Sequence, residues 1–226
     1  MLDFNDTGYL FLKKVYNETI ISNYNQLINQ FWINHNVDSH IHKKYDVETD
    51  YFIVNNTYSK LNNFIKQQYY YLPVIDNRYG HNKNTDSGMI DFFNIQKLIP
   101  ETLEYFNIDV MLSILHKITD KKWKFFRVNL QLCNNVSSPN SYHYDSNDEN
   151  IIKFSIYLSE VDTNDKGALS YIENTHINKK NFKQKDIKIF LGNPGDILIS
   201  YQNGFHKKTI QKNSISNYLV FNFIEK

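Results

Sequence analysis

The sequence predicts an α+β protein whose second half forms a β-sandwich or jelly roll. Apolar residues recur at helical spacing in the first half, and after Lys122 the period falls to two. Helices followed by six or more short strands, rather than mixed with them, give that class. Several of the strands also carry a fully polar face. Such a face is costly unless it meets water or lines a cavity.

Residues 8–14 read as a short strand. Residues 17–35 place Ile20, Tyr24, Leu27, Ile28 and Phe31 near one helical face. Residues 59–71 repeat that pattern more weakly. Residues 76–90 are polar and aperiodic and read as a loop. Residues 101–118 read as a second helix, with Leu103, Phe106, Val110, Ile114 and Leu115 on one face and Pro100 near its start. In 123–133, Val128, Leu130 and Leu132 alternate with Arg127, Asn129 and Gln131. In 151–159, Phe154, Ile156 and Leu158 alternate with Lys153, Ser155 and Tyr157. Strands follow at 186–191, 196–201, 205–211 and 217–224, with a tight turn at 192–196.

The 226 residues suffice for one domain with its own core. With 25 Lys and Arg against 24 Asp and Glu, no basic stripe suits a nucleic acid. No apolar run approaches the roughly 18 residues of a membrane span, and no signal peptide is read. Cys133 is the single cysteine, which fits a reducing, cytoplasmic setting. The oligomeric state is not legible.

The chemistry lies in His143, Asp145 and His206. His143 and Asp145 are two residues apart, so a strand would project both to one side. His206 follows the turn Asn203-Gly204, 61 residues after Asp145, and opens another strand. Two imidazoles and one carboxylate suit the facial triad of a non-haem Fe(II) site, which leaves open positions for a cosubstrate and O₂. The spacing alone also fits a β-rich domain in which the three residues have no common task.

Four segments resemble the phytanoyl-CoA dioxygenase-like Fe(II)/2-oxoglutarate oxygenases. His143-Tyr144-Asp145 is similar to that family's H-x-D. Residues 153–176, KFSIYLSEVDTNDKGALSYIENTH, resemble its K-x-x-I-Y-L-S-D-V-D…N-G-P-L-x-Y-I-P-G-S-H block. Residues 195–208, GDILISYQNGFHKK, resemble the block that carries the distal histidine, and the opening GYLFLKKVYNETII resembles its N-terminal motif. The resemblance implies a double-stranded β-helix, the cupin-like jelly roll, with the N-terminal and middle helices against one sheet. It implies a dioxygenase using Fe(II), 2-oxoglutarate and O₂; the short chain, with no basic patch to bind CoA, makes a small polar metabolite the expected substrate. It also implies that His176 orients a loop.

One departure stands out. The family carries an Arg ten residues after the distal His, where it clamps the far carboxylate of 2-oxoglutarate. Ser216 stands there instead. Lys208, two residues beyond His206, could supply the cation without the fork of Arg. Arg127 could do the same. Alternatively the cosubstrate site is lost, leaving a metal-binding jelly-roll protein or a cupin-like enzyme that does not use 2-oxoglutarate; a non-catalytic binding module that keeps the fold only as a scaffold is a further rival. Lys208 is preferred, because a small residue and a cation have exchanged places. Gln131, Asn129 and Tyr157 would line the cavity and bond the cosubstrate or its water. Arg78, His81 and Lys83 lie in the polar loop, where a substrate could be gripped.

Overall fold

The computed structural model describes residues 4–34, 45–46, 52–55, 73–77, 87–138, 141–145, 150–179, 182–209 and 214–226. Two sheets face each other. The larger has nine strands, and the smaller has three.

The chain enters through a one-turn helix, α1 (Phe4–Thr7), and strand β1 (Tyr9–Leu12). Helix α2 (Glu18–Asn34) follows. Asn17 accepts the Ile20 N–H at 2.9 Å and so caps its start. Ile21, Tyr24, Ile28 and Phe31 recur every three or four residues and are buried, which is the amphipathic spacing expected there. Strands β2 (Tyr45–Asp46), β3 (Phe52–Asn55), β4 (Val74–Asn77) and β5 (Ser87–Phe93) come next. The polar stretch 76–90 is therefore strand at both ends, because β4 and β5 pair with each other and, through β6, with the large sheet. The weak helical pattern at 59–71 lies outside the described residues, as do Arg78, His81 and Lys83.

The single helix expected at 101–118 is two, α3 (Thr102–Tyr105) and α4 (Ile108–Ile118). Asn107 is extended and accepts the Asp109 N–H at 2.7 Å, capping α4 afresh. The break turns the apolar face. Phe106 enters the core, Met111 and Leu115 are buried, and Val110 is left exposed.

The strands of the second half are β6 (Trp123–Ser138), β7 (Ile151–Tyr157), β8 (Leu169–Ile172), β9 (Ile187–Phe190), β10 (Ile197–Tyr201), β11 (His206–Lys208) and β12 (Tyr218–Glu225). The large sheet runs β1-β10-β7-β12-β6-β5-β4-β3-β2, and the small one β11-β8-β9. Of these pairings only β3 with β4 is parallel.

Each face of the large sheet has its own core. On the outer face, Val128, Leu130, Phe154, Ile156, Leu219 and Phe221 pack against the helices through Tyr24, Ile28, Phe106 and Leu115. Phe106 lies 5.0 Å from the rings of both Tyr16 and Tyr24. On the inner face, Tyr157, Leu198, Tyr218 and Val220 meet Tyr171 and Phe190 of the small sheet. The period-two pattern thus separates a helix-facing side from a side facing the small sheet, as the alternation required.

The turn at 192–196 shows why glycine is needed there. Gly195 has φ +92°, and a Cβ on it would run into the Tyr16 carbonyl. Its own carbonyl receives the N–H groups of Val15 and Tyr16 at 3.2 Å each. Buried Asp196 accepts from the backbone N–H of Lys14 at 2.8 Å and of Asn193 at 2.9 Å, so the turn ties the first strand to the jelly roll. Among the described residues no helix is long and apolar enough to cross a membrane.

Candidate metal centre

His143, Asp145 and His206 come together at one end of the inner face. One ligand atom from each lies within 4.8 Å of the others. His143 does not sit on a regular strand as expected. It makes an isolated antiparallel bridge to His206, with N–H to carbonyl bonds of 3.1 and 2.8 Å in the two directions. That bridge takes the place of a fourth strand beside β11, and it sets the two rings 4.9 Å apart. Tyr144, between the two ligands, is exposed and packs on Phe205 instead, at 5.5 Å.

Both imidazoles are held the same way. His143 Nδ1 is 2.9 Å from the Ser141 carbonyl, and His206 Nδ1 is 2.9 Å from the Gly204 carbonyl. A carbonyl can only accept, so each Nδ1 carries a proton and each Nε2 is left to ligate. The Nε2 atoms lie 3.4 and 3.5 Å from the two oxygens of Asp145. Lys153 of β7 forms an ion pair with Asp145 Oδ2. Partial burial works to raise the Asp145 carboxyl. The Lys153 ammonium and both histidines outweigh it and hold the group well below the usual carboxylate range. The hydrogen bond to Asp145, opposed by burial, raises His143 above the ordinary histidine value. Two imidazole nitrogens and one ionised carboxylate within 4.8 Å of one another suit a divalent ion. The donor set is that of a non-haem iron triad, so the residues fit the metal.

Strand register orders the inner face of the large sheet in rows. Asn222 pairs with Arg127 on one side and with Lys153 on the other, next to the triad. Val220 pairs with Asn129 and Ser155 one row deeper, and Tyr218 pairs with Gln131 and Tyr157 beyond that. Asn129 Oδ1 is buried without a hydrogen-bond partner. Such an atom calls for a bound donor or water.

Lys208 projects from β11 toward the row of Tyr218, away from the triad. Its Nζ is 2.7 Å from Cys133 Sγ and 4.5 Å from the centre of the Tyr218 ring. Ser216, fully buried, donates its N–H to the Cys133 carbonyl at 3.1 Å. The Lys208 ammonium and the Ser216 backbone therefore converge on one residue. Arg127 is in the row beside the metal end, with its guanidinium carbon 5.4 Å from the Phe93 ring. Gln131 faces Asp91 and Tyr218 across the sheet.

Tyr157 is placed differently from its expected role. Its ring is fully buried against Tyr218, and its hydroxyl donates to the Phe190 carbonyl at 3.0 Å. Burial, reinforced by Asp196, pushes its phenol far up. It serves the core between the sheets. His176 does hold a loop, stacking on Tyr201 at 4.9 Å with Nε2 2.8 Å from the Asn5 carbonyl. Lys153 and Cys133 are site residues that motif reading passed over. The signal for Lys153 was its place on the polar face of β7.

No family model and no curated protein matches the sequence. Solved structures do match the fold. The non-heme α-ketoglutarate dependent epimerase SnoN from nogalamycin biosynthesis has a TM-score of 0.65 at 10% identity, over 98% of this chain and 79% of that one. EvdO2 from Micromonospora carbonacea var. aurantiaca has a TM-score of 0.61 at 13% identity, over 99% and 88%. HygX from Streptomyces hygroscopicus, with nickel and 2-oxoglutarate bound, has a TM-score of 0.59 at 11% identity, over 98% and 84%. The chain is similar to these proteins over nearly its whole length, and at such identities the likeness establishes a shared fold, the double-stranded β-helix with helices packed on its larger sheet.

Proposed function

We propose that the chain, as a single domain, is a non-haem Fe(II)- and 2-oxoglutarate-dependent dioxygenase of the phytanoyl-CoA dioxygenase-like kind, hydroxylating a small polar metabolite. The convergence of His143, Asp145 and His206 at the open end of a jelly roll carries this reading. His143 Nε2, His206 Nε2 and an oxygen of Asp145 would hold the ion. The bound metal would activate O₂, the oxidant, with two of its four reducing electrons coming from oxidative decarboxylation of 2-oxoglutarate to succinate and CO₂ and two from the hydroxylated substrate.

The protein's share is binding and orientation. Lys208 would receive the far carboxylate of 2-oxoglutarate, giving up its thiol contact for a charge-assisted bond. Asn129 and Gln131 would bond the cosubstrate or its water along the wall between the metal and Lys208. Arg127, nearer the metal, stands as the second candidate cation. SnoN has been solved with α-ketoglutarate and a nogalamycin compound, and HygX with hygromycin B, which supports a small-molecule substrate here. The near-neutral chain supports neither a nucleic-acid nor a membrane partner. A single buried cysteine supports a cytoplasmic location.

Two alternatives remain distinct. A cupin-like enzyme that does not use 2-oxoglutarate would keep the metal and release no succinate. A non-catalytic jelly roll would bind no divalent metal. Replacing Asp145 with Ala tests the triad directly: metal binding and 2-oxoglutarate turnover should both disappear. Retained succinate formation would refute its assignment as a ligand.

A further inference from the structure

Building on the metal-centre reading, we propose that Lys153 is a positioning residue that confines Asp145 to one-oxygen metal ligation and sets the metal affinity of the site. The ammonium is paired with Oδ2, which also lies 3.5 Å from His206 Nε2, while Oδ1 faces His143 Nε2 at 3.4 Å and has no ammonium beside it. Asp145 needs such a fixing group. It lies outside any regular strand, and among the described residues its backbone N–H makes only a long 3.4 Å contact, with the Gln202 carbonyl. Lys153, in contrast, is set by sheet register. It lies between Ser200 of β10 and Asn222 of β12, both buried. The Asn222 amide is itself held by the Val220 carbonyl at 3.1 Å. The lysine side chain is only 20% exposed, so its ammonium is directed rather than solvated.

The chemistry of the site gives this contact a purpose. An octahedral ion held by two imidazoles and one carboxylate oxygen keeps three positions for a bidentate cosubstrate and O₂. A carboxylate bound through both oxygens would take one of them. An ammonium on Oδ2 prevents that and leaves Oδ1 for the ion. It does so at a cost in affinity, because a positive charge beside a dication opposes binding.

The test is Co(II) affinity, measured by chelator competition on the full chain, in wild type, Lys153→Met, Lys153→Gln and Lys153→Arg. Circular dichroism and metal-free melting establish which variants are folded. The neutral variants should bind Co(II) more tightly than wild type by about tenfold or more, the scale for removing one charge from a partly solvated site. Lys153→Arg should stay near wild type. Equal or weaker binding by the folded neutral variants would overturn the proposal. His206→Ala separates the two levels of inference. If it binds Co(II) as wild type does, the metal-centre reading falls, and the role of Lys153 falls with it. If it loses Co(II) while the neutral variants match wild type, only the role of Lys153 falls.

Discussion

Replacing Lys208 with Met removes the charge over the Tyr218 ring and keeps most of the aliphatic stem. The ammonium now rests 2.7 Å from the Cys133 thiol, a weak acceptor, in a half-buried pocket. A carboxylate arriving there gains a hydrogen bond to a charged donor. Such bonds contribute about 1.5–3 kcal/mol. Losing it should weaken 2-oxoglutarate roughly 10- to 150-fold, since about 1.4 kcal/mol is a factor of ten. Calorimetry on anaerobic, Mn(II)-loaded protein measures this directly. Metal affinity should not change, because Lys208 touches no ligand of the triad. The double variant Lys208→Ser with Ser216→Arg moves the cation back across Cys133 and should recover much of the loss. Unchanged 2-oxoglutarate affinity in Lys208→Met, with a large loss in Arg127→Met, would refute the reasoning and assign the cosubstrate to Arg127.

Two further predictions follow from packing and from charge. Phe106→Ala empties a fully buried ring site shared with Tyr16, Tyr24 and Phe221, and should cost about 3–5 kcal/mol in urea unfolding. A loss below about 1 kcal/mol would mean that the helix layer is not fixed by this residue. In metal-free protein, the depressed Asp145 carboxyl contributes stability above about pH 4, lost as pH falls through its lower folded value. The raised His143 contributes stability below about pH 6.5, lost as pH rises through its folded value. Melting temperature should therefore be highest between these limits, and Asp145→Asn should flatten both sides. An identical profile in that variant would show that the pair carries no pH dependence.

The triad was legible because its chemistry resides in side-chain identity and spacing, and the two-sheet fold because alternation marks buried faces over long strands. What was not legible depended on short elements or on register. The break at Asn107 was signalled only by a cap, and the helical period ran through it. Strand β8 and the His143 bridge are too short for any period to show. Alternation put Lys153, Tyr157 and Gln131 on one face, yet their fates differ. Lys153 reaches Asp145, whereas Tyr157 is sealed beneath the small sheet. Which row meets the metal and which meets Phe190 is decided by strand pairing, and no single strand encodes that. Lys208 became a candidate because its exchange with Ser216 left a trace in the motif itself.

The most direct measurement is the visible charge-transfer band that 2-oxoglutarate produces on chelating Fe(II), recorded anaerobically on wild type and on His206→Ala. The account predicts a band in wild type that saturates with 2-oxoglutarate and is absent from the variant. Iron bound by the wild-type protein with no band at saturating 2-oxoglutarate would contradict it and place the chain among metal proteins that do not use this cosubstrate.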